Sequence, residues 1–87
     1  MTQYVLIYAY VQDVLERRAP YREAHLTKIA EAREDGRIVM AGPIGDPPNG
    51  ALIVFATREA AEEFVPSDPY FEGGVVTEWR VEPWAVV

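Results

Sequence analysis

Cysteine is absent from this 87-residue chain, which removes disulfides and thiolate metal sites. Histidine occurs once, at position 25, so a multi-histidine zinc site is excluded as well. Basic residues are scarce: 8 Lys and Arg stand against 14 Asp and Glu, for a formal charge of −6, and no basic run exists. Nucleic-acid binding leaves a basic footprint, so that class is disfavoured. The only serine, Ser67, sits beside Asp68 with His25 remote, which gives a serine hydrolase little support. No apolar stretch approaches the roughly 18–20 residues that cross a bilayer. Neither a phosphate loop nor a dinucleotide-binding glycine pattern is present. Met1-Thr2-Gln3-Tyr4 carries no charged leader, so a cytoplasmic protein that binds neither nucleic acid nor membrane is expected.

What is present is enough for one domain, residues 1–87. A core this small is marginal, because area burial and chain entropy nearly cancel below roughly 70–80 residues. Without disulfides or metals, good packing or a partner must make up the difference.

Residues 3–10, QYVLIYAY, predict a strand. Val11–Leu15 reads as a connection. Pro20 suits a first helical turn, and good helix formers continue to about Asp35, where Gly36 provides the stop. Leu26, Ile29 and Ala30 share helical spacing and define the expected buried face. Residues 37–43 predict a second strand, GDPPNG a turn, and 51–56 a third strand antiparallel to the second. A second helix is expected over 58–65 with Thr57 as N-cap, and a last strand over 75–84. The order βαββαβ is the split βαβ, ferredoxin-like arrangement: an α+β fold with a four-stranded antiparallel sheet and two helices on one face.

Two helices cover only one face of such a sheet, and a face left to water should be polar. Yet Val5, Ile7 and Ala9 oppose Tyr4, Leu6, Tyr8 and Tyr10 on the first strand, and the third strand is apolar on both sides. Apolar residues on both faces imply burial on both, and a second copy is the simplest cover, so a homodimer is expected. Only the last strand alternates, with Trp79 and Val81 opposed to Glu78, Arg80 and Glu82.

His25 lies about 40° round from Ile29 on the helix. It reads either as a boundary histidine with one hydrogen bond or as a general acid–base, since imidazole titrates near neutrality. Asp68-Pro69 reads as an N-cap with proline at the first helical position. Capping can occupy one carboxylate oxygen and leave the other for an imidazole. Gly42 and Pro43 serve either as turn chemistry or as a close backbone approach to a ligand. Of Arg17, Arg18 and Arg22, one could pair with an anionic substrate or with Asp68. Tyr8, Tyr70, Trp79 and Trp84 could wall a small pocket.

Arg22-x-x-His25-Leu26, Ala41-Gly42-Pro43, Gly50, Asp68-Pro69-Tyr70, Gly74-Val75 and Pro83-Trp84, in this order and spacing, resemble the YCII-like family across nearly the entire chain. The resemblance implies a dimeric α/β barrel in which a histidine and an aspartate form an active-site pair, positions held here by His25 and Asp68. It implies no metal and no organic cofactor. The expected activity is cofactor-free acid–base chemistry on a small organic substrate, cyclic or aromatic. The alternative is a non-catalytic ligand-binding or dimerisation module. Pro66 departs from the pattern and is expected to shorten the second helix and displace Asp68.

Overall fold

A computed structural model describes residues 1–87. Strand β1 (Thr2–Tyr10) leads to a one-turn helix α1 (Val14–Arg17), a 3-10 turn over Ala19–Tyr21 and the long helix α2 (Arg22–Glu34). Strands β2 (Ile38–Ile44) and β3 (Gly50–Phe55) follow, then helix α3 (Arg58–Ser67), a short helix α4 (Pro69–Glu72) and strand β4 (Val76–Ala85). The sheet is antiparallel with order β2-β3-β1-β4. This is the expected ferredoxin-like βαββαβ fold.

The two apolar faces of β1 divide cleanly. Leu6 and Tyr8 are buried beneath the helices, together with Ile38, Ala51, Ile53 and Phe55. Ala61, Phe64 and Val65 close this core from α3. Val5 and Ile7 lie on the other face with Leu52, Met40 and Trp84, where no helix covers them. Trp79 and Val81 fall on the helix-covered face, in register with Tyr8 and Leu6, and Glu78, Arg80 and Glu82 on the open one.

Local signals set the element ends. Thr57 Oγ1 accepts the Ala60 N–H at 3.1 Å and caps α3. Gly36 adopts φ 87° just past α2, a left-handed stop that a side chain resists. Three expectations need correction. Val11–Leu15 is not all connection: α1 inserts Val14 into the core, after Asp13 turns through a left-handed conformation (φ 59°). Pro66 does not shorten α3, which runs on to Ser67. It sits in the last turn, where its missing N–H frees only the carbonyl of the exposed Glu62 to water. The inward face of α2 is His25, Ile29 and Ala32, whereas Leu26 is 46% exposed and Ala30 also faces out. The stripe is rotated because α2 docks across the edge of the sheet, so its apolar pattern is a weak guide to its orientation.

Gly50 begins β3 directly against the Tyr8 backbone, and a Cβ there would overlap the Tyr8 carbonyl oxygen. Backbone cannot swing away as a side chain does. Gly50→Ala is therefore expected to cost about 1–3 kcal/mol, as overpacking does. Urea unfolding checks this; an unchanged midpoint would show that the β1–β3 ladder yields freely.

Candidate active site

Two locally determined features meet above the centre of the sheet. The first is the cap of α4: Asp68 ends α3 in an extended conformation, and its Oδ1 accepts the Tyr70 N–H at 3.0 Å. The second is the first turn of α2, which carries His25 inward. Capping leaves Asp68 with acceptor capacity. Oδ1 also faces His25 Nδ1 at 2.7 Å, and Oδ2 accepts the Tyr8 hydroxyl at 2.8 Å. Asp68 is fully buried (0% exposed) and His25 nearly so (7%). The Tyr8 hydroxyl and the Tyr70 N–H are the two fixed donors to Asp68, and the third contact fits the tautomer in which Nδ1–H donates to Oδ1 and Nε2 is the free acceptor of the ring.

Nε2 makes no hydrogen bond within the chain, yet it is not sealed from solvent. It opens into a cleft of about 240 Å³ between α2, β2 and β3. Leu26, Ile29 and Ile53 form apolar walls, and Gly42, Pro43 and Pro48 the rim. The ring of His25 lies flat on that of Tyr70, with centroids 3.7 Å apart and planes 2° from parallel. Tyr10 meets Tyr70 edge-on at 6.0 Å. Stacking and the Asp68 bond together fix both the tilt and the rotation of the imidazole.

The candidates named from sequence are thus unequally placed. His25, Asp68 and Tyr70 form one contiguous cluster; Arg22, Gly42 and Pro43 line the same cleft. Trp84 does not join them. It lies on the open face of the sheet, in a shallower hollow of about 600 Å³ whose only ionisable lining group is Glu82. That larger hollow lacks any acid–base pair and marks an uncovered sheet face. No arginine pairs with Asp68. Arg18 and Arg22 both border the cleft and neither forms an ion pair. Tyr8 was legible only as an apolar wall: a tyrosine on an apolar strand gives no sign of where its hydroxyl ends.

The tyrosines record how dry this region is. Burial, and then the Asp68 charge, push the Tyr8 hydroxyl far above its ordinary range. Burial also raises Tyr10 and Tyr70, against an opposing pull from Arg18 and Arg22. A raised phenol pKa favours the neutral folded form, so the unfolded chain releases its protons first. The stability these hydroxyls contribute is complete below about pH 10 and is lost as pH rises above it. Tyr8→Phe is expected to cost about 1.5–3 kcal/mol at neutral pH, by removing a hydrogen bond to a charged acceptor. It should also flatten the alkaline fall in stability. Urea midpoints on either side of pH ~10 test both points; equal alkaline slopes for the two proteins would contradict the assignment.

Comparison with known proteins places these features in context. The profile of the YCII-related domain matches residues 2–85. The protein YciI of Escherichia coli O6:H1 is 33% identical over 86 aligned positions, which cover 86% of this chain and 88% of that protein. An uncharacterized protein of Haemophilus influenzae is 27% identical over 95 aligned positions, 97% of each chain. Among solved structures, the 5-chloro-2-hydroxyhydroquinone dehydrochlorinase of Burkholderia phenoliruptrix, in complex with 2,5-dihydroxybenzoquinone, superposes with a TM-score of 0.76. It covers 94% of this chain and 92% of its own at 20% identity, a likeness of fold.

Proposed function

The chain belongs to the YCII-related domain family, and from that premise we propose that it is a cofactor-free acid–base enzyme, working as a homodimer on a small cyclic or aromatic substrate. One observation carries the reading: a buried carboxylate holds Nδ1 of the only histidine at 2.7 Å while Nε2 opens into an apolar-walled cleft. A histidine kept only for packing would need neither the carboxylate nor the opening.

In this mechanism Nε2 removes a proton from the bound substrate. The electron pair left behind either expels a leaving group, as in loss of hydrogen halide, or shifts within the ring while the imidazolium returns its proton at another atom. Asp68 stabilises the imidazolium and fixes its orientation, as a buried acid does for a catalytic histidine. Tyr8 and the Tyr70 N–H act through Asp68 and are positioning groups. The dehydrochlorinase of like fold, with its quinone ligand, supports ring substrates and elimination. The dimer is supported by the uncovered apolar face, since a patch of this kind marks a contact site, and by the small core.

The test is chloride release from 5-chloro-2-hydroxyhydroquinone and a panel of related chlorinated hydroquinones. His25→Ala should lower turnover by roughly 10²–10⁴-fold, the usual contribution of a general acid–base. Full activity in His25→Ala would overturn the reading. Tight binding of these rings by the wild type without turnover would favour a binding module instead.

A further inference from the structure

The lining of the cleft is more one-sided than proton transfer alone requires. The chain carries a net charge of −6, yet no carboxylate lines the cleft. The one acid close by, Asp68, spends both oxygens on three donors. Facing the space instead are two guanidinium groups, Arg18 and Arg22, on the 3-10 turn approach and the first turn of α2. Neither has a carboxylate partner: the ion pairs of the chain are His25–Asp68, Arg37–Asp35 and Arg80–Glu82. Two further donors are unspent. The Tyr10 and Tyr70 hydroxyls make no hydrogen bond within the chain, and neither is sealed from solvent. Burial keeps both phenols in their neutral, proton-donating form.

We infer that the cleft selects an anionic substrate, a small apolar skeleton bearing one oxyanion, which Arg18 and Arg22 grip at the mouth while His25 Nε2 addresses the skeleton inside. Guanidinium groups suit this task because their planar fork meets a carboxylate or an ionised enol or phenol with two parallel hydrogen bonds. The small volume, about 240 Å³, and the walls of Leu26, Ile29 and Ile53 limit the rest of the ligand to a single ring or its equivalent. In an acidic protein, a local cationic rim also concentrates the anion against the surrounding field. The inference rests on the cleft being the working site, and it names the substrate class for the reaction proposed above.

Binding of matched probes tests it: benzoate against benzamide, and 4-nitrophenolate, fully ionised, against 4-nitroanisole. The two pairs separate a carboxylate from a phenolate as the preferred oxyanion. Wild-type protein should bind at least one anion about tenfold more tightly than its neutral partner, with the preference shrinking as salt is added. Arg18→Gln and Arg22→Gln should each reduce the preference, and the double variant should abolish it without changing affinity for the neutral probe. Arg22→Lys, which keeps the charge and loses the fork, should fall between. Equal binding of anion and neutral partner, absence of anion binding at millimolar concentration, or a preference undiminished in the Arg18→Gln, Arg22→Gln double variant would each overturn the inference. His25→Ala separates this claim from the catalytic one. It should lose turnover and keep the anion preference, whereas a wild type that shows the preference but no reaction counts against the acid–base reading alone.

Discussion

Asp68→Ala should be the most damaging single substitution at the candidate site, and it should act on folding before it acts on chemistry. The side chain is fully buried, and its removal strands the Tyr8 hydroxyl, the Tyr70 N–H and the His25 Nδ1–H together. Breaking a buried charged pair from one side costs about 3–5 kcal/mol. A domain of this size commands roughly 5–15 kcal/mol in total, so the variant should melt about 15–30 °C lower. Asp68→Asn separates the two roles. Asn keeps an acceptor for the imidazole and for the Tyr70 N–H, and its amide can donate to the Tyr8 oxygen, so the fold should survive. It cannot offset the charge of an imidazolium, so kcat should fall by roughly 10²-fold or more with KM little changed. Calorimetry and the kinetics of chloride release check the pair. A stable Asp68→Ala protein, or Asp68→Asn with wild-type kcat, would reduce Asp68 to a helix cap.

The second large effect concerns the open face of the sheet. Leu52 lies at its middle, in register with Ile7 on one side and Gly42 on the other. Wild-type protein is expected to scatter light as twice its 9.8 kDa chain mass at micromolar concentration. Leu52→Asp would place an unpaired carboxylate in each half of the contact, at a cost of several kcal/mol. That weakens association by roughly 10³-fold, since each 1.4 kcal/mol is a factor of ten. The short aspartate is chosen because Arg80, already paired with Glu82 at 3.2 Å, lies across Ile7 from position 52. Leu52→Ala should stay dimeric. A monomeric wild type, or a dimeric Leu52→Asp, would show that this face is covered by something other than a second copy.

The site is partly legible in the sequence. Asp68-Pro69 announced a cap, and a cap fixes the carboxylate whatever packs around it. His25 was legible as a lone titratable group beside an apolar stripe, and its pairing with Asp68 as an implication of family resemblance. Tyr70, Gly42 and Pro43 line one cleft with His25, whereas Trp84, another aromatic near a motif, lies on the opposite side of the sheet. Strand parity separates these cases. Trp84 opposes Gln3, on the same side as Val5 and Ile7, and no composition argument reveals which side the helices choose.

By itself the sequence determined what short-range physics controls. It set the order of the elements, the stop at Gly36, the caps at Thr57 and Asp68, and the apolar content of both strand faces. These follow from hydrogen bonds and steric limits within a few residues, which neighbouring amino acids decide. Tertiary structure decided what lies across the chain. It turned the Tyr8 side of β1 under the helices and brought its hydroxyl to Asp68, 60 positions away. It rotated α2 so that His25, not Leu26, faces inward, and left Arg18 and Arg22 together at one cleft without partners. Those outcomes depend on how a helix with a weak apolar stripe settles on a sheet apolar on both sides, and that docking is settled by the packing of the whole core.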